Sequence, residues 1–118
     1  MRPGDSLDAH EQIEAALELD DPIELMDLIA QIALEESDGR FAENCCARLA
    51  KHGNAIVRGN AVLGFGHLAR RFGRLDWRRI HPLVDIALHD RSDYVRAQAE
   101  SAAEDLATFL SWEFDVPG

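Results

Sequence analysis

The feature that most constrains the fold of this chain is an internal repeat. Val57-Arg58 recurs as Val95-Arg96, 38 residues further along the chain. The same offset aligns other small and apolar positions, which pair as Ala61 with Ala99, Leu68 with Leu106, Ala69 with Ala107, Cys46 with Val84 and Leu49 with Ala87. A period of this length predicts repeated two-element units, each of which buries its apolar face against the next unit.

The repeated elements are predicted to be helices. Gly, Pro, Asn and Asp separate segments of helix length, and no run alternates apolar and polar residues as a half-buried strand would. Short turns between the segments imply that consecutive helices pack antiparallel. Six helices are expected, over about residues 7–19 (capped by Asp5 or Ser6), 22–36, 40–51, 55–72, 76–89 and 93–112.

The turn and the opening of the following helix carry a motif twice. The two copies run from His52 to Ala61, as His-Gly-Asn-Ala-Ile-Val-Arg-Gly-Asn-Ala, and from Asp90 to Ala99, as Asp-Arg-Ser-Asp-Tyr-Val-Arg-Ala-Gln-Ala. This pattern resembles HEAT repeats over residues 40–112. One departure is that Asn54 is matched with Asp93, which leaves the ladder of Asp and Arg residues incomplete.

The HEAT resemblance implies an all-α fold, a short right-handed α-solenoid of about three antiparallel helix pairs. Residues 1–118 would form a single domain. It would consist of a degenerate N-terminal pair at about 7–36, repeats at about 40–72 and 76–112, and a short tail at 113–118. In such a stack the Arg58 and Arg96 side chains are expected to cap turn carbonyls or to pair with a loop Asp.

The charge of the chain is concentrated in its first half. Of a formal net charge of −10, residues 1–50 hold 13 acids and 3 bases, whereas residues 51–118 hold 9 of each. This distribution disfavours a phosphate backbone as ligand and favours a basic protein partner; the alternative is that the acids only maintain solubility. The acidic residues proposed to meet the partner are Glu24, Asp27, Glu35, Glu36 and Asp38.

A second candidate surface lies on the outer positions of the fourth and sixth helices. Second helices of stacked repeats line one side of the stack, and the candidate contacts there are Asn60, His67, Arg71, Gln98 and Asp105. The tail adds Trp112 and Phe114, and aromatic side chains are enriched at interface hot spots. The alternative for these two aromatics is that they fold back and cap the last repeat.

A narrower resemblance concerns function. Residues 57–70, Val-Arg-Gly-Asn-Ala-Val-Leu-Gly-Phe-Gly-His-Leu-Ala-Arg, look like small bacterial HEAT-type toxin immunity proteins. That resemblance implies a cytoplasmic antidote that occludes the active site of a basic toxin, such as a nuclease. The alternatives are a generic HEAT adaptor or assembly chaperone, and a HEAT-like lyase or DNA-binding protein. A homodimer is left open.

The DNA-binding alternative depends on one corner of the chain. Arginines cluster there beside Trp77, namely Arg70, Arg71, Arg74, Arg78 and Arg79.

Motifs of catalysis or cofactor binding are not recognised, so no enzyme activity and no cofactor are predicted. His81, Asp85 and His89 share a helix face but extend along it instead of converging, so they are expected to be solvated and not to bind metal. Gly64 and Gly66 lack a preceding strand and predict instead the close approach of a neighbouring helix, or alternatively of a bound partner's backbone.

The cysteines and the apolar runs bear on the compartment. Cys45 and Cys46 are adjacent, which suits two reduced core residues better than a disulfide. No apolar run approaches the ~20 residues of a membrane span, and the start of the chain does not resemble a signal peptide. A cytoplasmic protein that does not enter the membrane is therefore expected.

Overall fold

The structure is a computed structural model that describes residues 9–116, and within this range it is helical with no strand. The six predicted helices are all present, and the fourth has the predicted bounds. The predicted caps Asp5 and Ser6 lie outside the described residues. The helices are α1 (Ala9–Leu19), α2 (Pro22–Glu35), α3 (Gly39–Leu49), α4 (Ala55–Phe72), α5 (Trp77–Ala87) and α6 (Asp93–Leu110).

Short polar side chains begin four of these helices. Asp21 accepts a hydrogen bond from the Ile23 amide, and Asp38 accepts one from the Phe41 amide. Asn54 and Ser92 do the same for the first turns of α4 and α6. Each cap satisfies a backbone N–H that has no partner within its helix, which is why the turns stop and start the helices where they do.

The helix ends repeat at the same 38-residue offset as the sequence. The C-cap residues of α4 and α6 are Gly73 (φ 70°) and Ser111 (φ 59°), and both adopt the left-handed conformation. The prediction that the last helix reaches Trp112 is wrong because Ser111 turns the chain first. The ends of α3 and α5 also match, with Ala50 donating to Cys46 and Leu88 donating to Val84.

Helix α4 lies at the centre of the core. Its inward side chains, among them Val57, Phe65 and Leu68, are fully buried. Four helices pack on it from several sides. They contribute Leu25, Ile29 and Ile32 from α2, Cys45, Cys46 and Leu49 from α3, Ile80 and Val84 from α5, and Val95, Ala99 and Leu106 from α6.

Helices two positions apart in the chain lie parallel. Going along α4, Gly59 faces Tyr94, Gly66 faces Asp105 and Arg70 faces Phe109, so contacts with α6 advance in the same direction on both helices. A Cβ atom added at Gly64 would lie 3.0 Å from Cys46 Sγ and 3.5 Å from Ala33 Cβ. The predicted close approach of helices at the two glycines is therefore confirmed.

The first helices of the pairs are linked by exposed side-chain hydrogen bonds. Glu14 of α1 accepts from Arg48 of α3, and Asn44 of α3 accepts from Arg79 of α5. Among residues 9–116 no helix has the length and apolar character needed to cross a membrane.

Candidate partner-binding surfaces

Arg58 and Arg96, which are 38 residues apart, both form hydrogen bonds with the turns between helices. Arg58 donates from Nε and Nη2 to the two Asp90 carboxylate oxygens at 2.8 and 2.9 Å, and from Nη1 to the His52 carbonyl at 2.9 Å. Arg96 donates to the Asp90 carbonyl and to the Asp93 carboxylate. The prediction that these arginines cap turn carbonyls and pair with a loop Asp is confirmed.

The ladder of Asp and Arg differs from the predicted one. Asn54 and Ser92 cap α4 and α6 in equivalent places, so the match of Asn54 with Asp93 is wrong by one residue. The carboxylate that links the two repeats is Asp90. The Arg58 hydrogen bonds lower the pKa of Asp90, and the Asp90 hydrogen bonds raise the pKa of Arg58.

Three of the five predicted acidic contacts are exposed and uncompensated. Glu24, Asp27 and Glu35 lie on the surface of α2, and none of them forms an ion pair within the described part of the chain. Glu24 lies in the first turn, where a negative charge also favours the helix. These three carboxylates are therefore available to a partner.

The other two acids are engaged locally. Glu36 Oε2 lies 3.1 Å from His10 Nε2 and accepts a hydrogen bond from the Asp38 amide at 2.8 Å. Asp38 itself caps α3. Their charges still add to the negative field of this region, but their side chains already hold the turn between α2 and α3.

An exposed apolar row lies among these acids, and sequence reasoning missed it. Ile23 and Leu34 of α2 are 70% and 56% exposed, and Ala30 is exposed between them. Together with Asp27 they are spaced by four, three and four residues, which places them on one face of the helix. The signal was present in the sequence, since Ile23 and Leu34 fall outside the inward row of α2.

Most candidates on α4 and α6 connect helices to one another. Asn60 accepts a hydrogen bond from the Tyr94 hydroxyl, and Asp105 lies over Gly66 with its carboxylate 3.4 Å from Arg70. Arg71 donates to the carbonyls of Ala33 and Glu36 at 2.9 and 2.6 Å. Half-buried His67 and Gln98 complete the set of candidates.

The tail folds back on the last helix pair. Trp112 and Phe114 are half-buried and pack against the core. The Phe114 ring stacks on His81, with centroids 4.2 Å apart and planes within 6°, and His81 Nε2 lies 2.7 Å from the Glu113 carbonyl. The capping alternative thus describes where these two aromatics lie.

The row of His81, Asp85 and His89 is only partly solvated. His89 is exposed as expected, whereas His81 and Asp85 are half-buried and the tail covers His81. No group of three or more His, Cys, Asp or Glu side chains within residues 9–116 is arranged to hold a metal ion.

The arginine corner is largely engaged with the protein itself. Arg71 binds α2 carbonyls, Arg70 pairs with Asp105, and Arg79 lies 3.8 Å from Glu43. Arg74 and Arg78 have no ion pair with a described residue, and Trp77 beside them is 55% exposed. A cavity of about 580 Å³ adjoins Arg74, but its walls also include Asp38, Glu43 and Asp76.

The cysteines behave as core residues, as predicted. Both are buried and free, and burial raises the pKa of each thiol to about 12. The thiolate is the reactive form of cysteine, so neither side chain is activated near neutral pH.

No known family profile, curated protein or solved structure matches this chain.

Proposed function

We propose that this chain is a protein-binding module of HEAT type, a short right-handed α-solenoid. It would be a bacterial immunity protein that binds and neutralises its cognate basic toxin. It would do so without catalysis, by occluding the active site of the toxin. Nuclease toxins fit this chemistry, because a surface that binds a phosphate backbone is itself basic.

The repeat geometry supports the HEAT part of the proposal. Caps, helix ends and the Arg58 and Arg96 contacts recur at 38 residues. Among the second helices, α2 packs on α4 and α4 packs on α6, which is expected of stacked units, and side-chain hydrogen bonds link the first helices. Folds of this kind bind with side-chain surfaces and need no reactive group.

The single observation that carries the binding proposal is the uncompensated charge of α2. Glu24, Asp27 and Glu35 are exposed and have no ion pair among the described residues, whereas Arg58 and Arg70 are paired within the protein. Complementary charge accelerates association and selects basic partners. A partner with a lysine- or arginine-rich surface is therefore expected.

The experiment is affinity capture of a co-expressed toxin encoded beside this chain, followed by a salt titration. The expected result is a 1:1 complex with one basic domain, loss of the toxin's activity, and affinity that falls as salt rises. Reversing Glu24, Asp27 and Glu35 to Lys should weaken the complex, whereas Glu100→Lys with Glu104→Lys on α6 serves as the matched control. Equal affinity and salt dependence for both variants would refute steering by α2.

The adaptor or assembly chaperone is the second candidate from the binding class. It is favoured if capture returns a housekeeping assembly and the co-expressed toxin remains active. The proposed stack and its acidic helix would then stand, with a different partner.

A nucleic-acid role is favoured by one observation only, the exposed Trp77 beside Arg74 and Arg78. A duplex DNA titration at low salt tests it. Binding that is lost in Arg74→Ala with Arg78→Ala would support this role, and absence of binding at low salt would exclude it, because phosphate contacts are strongest there.

A further inference from the structure

The apolar row of α2 does not stand alone, because α4 lies beside it. The two helices run parallel, with Ala33 against Gly64 and the Arg71 guanidinium on the carbonyls at the end of α2. At an offset of 33 residues, two apolar positions of the row recur on α4, from Ile23 to Ile56 and from Ala30 to Leu63, whereas the other two positions are Asn60 and His67.

We call this surface the α2–α4 face. It consists of Ile23, Asp27, Ala30 and Leu34 on α2 and of Ile56 and Leu63 on α4. Ile56 is 38% exposed and Leu63 is half-buried.

This face combines exposed aliphatic side chains with carboxylates, most of which lie along its edge. On α2 the angle of about 100° per residue places Glu24 and Glu35 on the outer side of the row, away from α4. Asp27 lies within the row itself. The two aliphatic side chains at its ends remain largely exposed, so covering them would remove a substantial apolar area from water.

A second copy of this chain is a poor occupant of the face. A symmetric pairing of α2 with its own copy would bring two sets of Glu24, Asp27 and Glu35 together, and like charges in an interface are repulsive. An occupant with an apolar stripe flanked by positive charges would cover the aliphatic side chains of the row and pair with the carboxylates at its edge. The period of four, three and four residues in the row matches the spacing of side chains along a helix.

We infer that the α2–α4 face docks an amphipathic helix of the partner, whose apolar stripe is flanked by Lys or Arg. The inference rests on the proposed function and adds the partner element and its place of contact. The partner's aliphatic side chains would lie between Ile23 and Leu34, and its cations would meet Asp27 and the outer acids.

The test uses a fluorescent helical peptide of about 18 residues, with Leu on one face and Lys on the other, and a scrambled peptide of equal composition. Anisotropy titrations compare the wild-type chain with the double variant Ile23→Ser and Leu34→Ser. The control is Ile86→Ser, since Ile86 is 67% exposed but lies on α5. All three substituted positions are at the surface, and thermal melts verify that each variant folds.

The expected result is that the double variant weakens peptide binding about tenfold or more, because two exposed aliphatic side chains that the peptide would cover are lost. Ile86→Ser should change the affinity by less than about twofold, and the scrambled peptide should bind about tenfold more weakly. Equal binding of the two peptides, or of the double variant and wild type, would overturn the inference. So would a dimer in sedimentation velocity that the double variant abolishes, because the occupant would then be a second copy.

The two proposals fail separately. If the captured basic partner is lost on charge reversal of α2 but retained by the double variant, the proposed function stands and docking at the α2–α4 face is wrong. If the amphipathic peptide binds as expected while no basic partner is captured, the face docks a helix and the toxin-neutralising function is wrong.

Discussion

Helices α2 and α6 pack on opposite sides of α4, and they use their polar side chains differently. On the α6 side, Tyr94 reaches Asn60, and Asp105 reaches Arg70. The turn before α6 supplies Asp90 to Arg58. On the α2 side, Arg71 is held by backbone carbonyls, and the α2 carboxylates are exposed and form no ion pair within residues 9–116.

The difference separates polar side chains that hold the helices together from polar side chains that are exposed to a partner. On the C-terminal side, the ion pairs of Arg58 with Asp90 and of Arg70 with Asp105 join one helix pair to the next, whereas Glu100 and Glu104 on α6 remain exposed. On α2, the acidic Glu24, Asp27 and Glu35 form no ion pair with a described residue, and the apolar Ile23 and Leu34 are exposed beside them. A surface that is both charged and apolar is poorly explained by solubility alone, because Ile23 and Leu34 do not promote it.

The largest expected effect is on the ion pair between the repeats. Asp90→Asn should lower the free energy of unfolding by about 2–3 kcal/mol, since it leaves Arg58, which is only 12% exposed, without its charged partner. The matched change is Glu14→Gln, which removes the partner of Arg48 from a pair 3.5 Å long and about half exposed. It should cost less than about 0.5 kcal/mol.

Urea unfolding as a function of pH measures both variants. The folded-state pKa of Asp90 is lowered, so its contribution is present above the unfolded pKa of about 4 and is lost as the pH falls through the folded value. Asp90→Asn should remove that part of the acid dependence. Equal losses in the two variants would contradict the assigned difference between the sides of the molecule.

The next effect concerns the tightness of the contact between α4 and α6. A Cβ atom on Gly59 would lie 2.8 Å from the Tyr94 ring, which is held by its hydroxyl on Asn60. Gly59→Ala should therefore destabilise by about 1–2 kcal/mol despite its better helix propensity. Thermal unfolding is the measurement.

Gly53 provides the control for this prediction, because a Cβ atom there would meet nothing within 4 Å. Gly53→Ala should be neutral or stabilise by less than about 1 kcal/mol. If Gly59→Ala leaves the thermal stability unchanged, α6 can move away from α4 without destabilising the protein.

The smallest effect tests whether an α2 carboxylate has a structural use. Glu35 ends α2, where the helix terminus is negative, and it has no ion pair with a described residue. Glu35→Gln should stabilise by about 0.5 kcal/mol. Glu100→Gln, an exposed change within α6, should lie within about 0.5 kcal/mol of wild type. Destabilisation by Glu35→Gln in chemical unfolding would show that this acid supports the fold.

Much of the fold follows from the repeat and the turn residues. The six helices could be predicted because their apolar rows and caps are local features of the sequence. Helix ends were less predictable, since Ser111 adopts a left-handed conformation that glycine more often takes. The cover of His81 by Phe114 depends on that turn, so the sequence offered folding back of the tail only as an alternative and predicted a solvated His81.

The candidate surface could be predicted only in part. Charge counts pointed to α2, but which carboxylates are free depends on contacts over long sequence distances, such as that of Glu36 with His10. The partner of Arg58 could be named only as a loop Asp, because the choice between Asp90 and Asp93 is made by the stacking of the repeats. Ile23 and Leu34 fall outside the inward row of α2, but single exposed apolar residues are common on protein surfaces and do not by themselves predict a binding surface.

The most direct test of the division between the two sides is hydrogen exchange of the free protein and of its complex with the captured basic partner. Slower exchange in the complex is predicted for α2 and the adjoining surface of α4, with α5, α6 and the tail unchanged. Protection confined to α5, α6 and the tail, with α2 exchanging as in the free protein, would contradict the account.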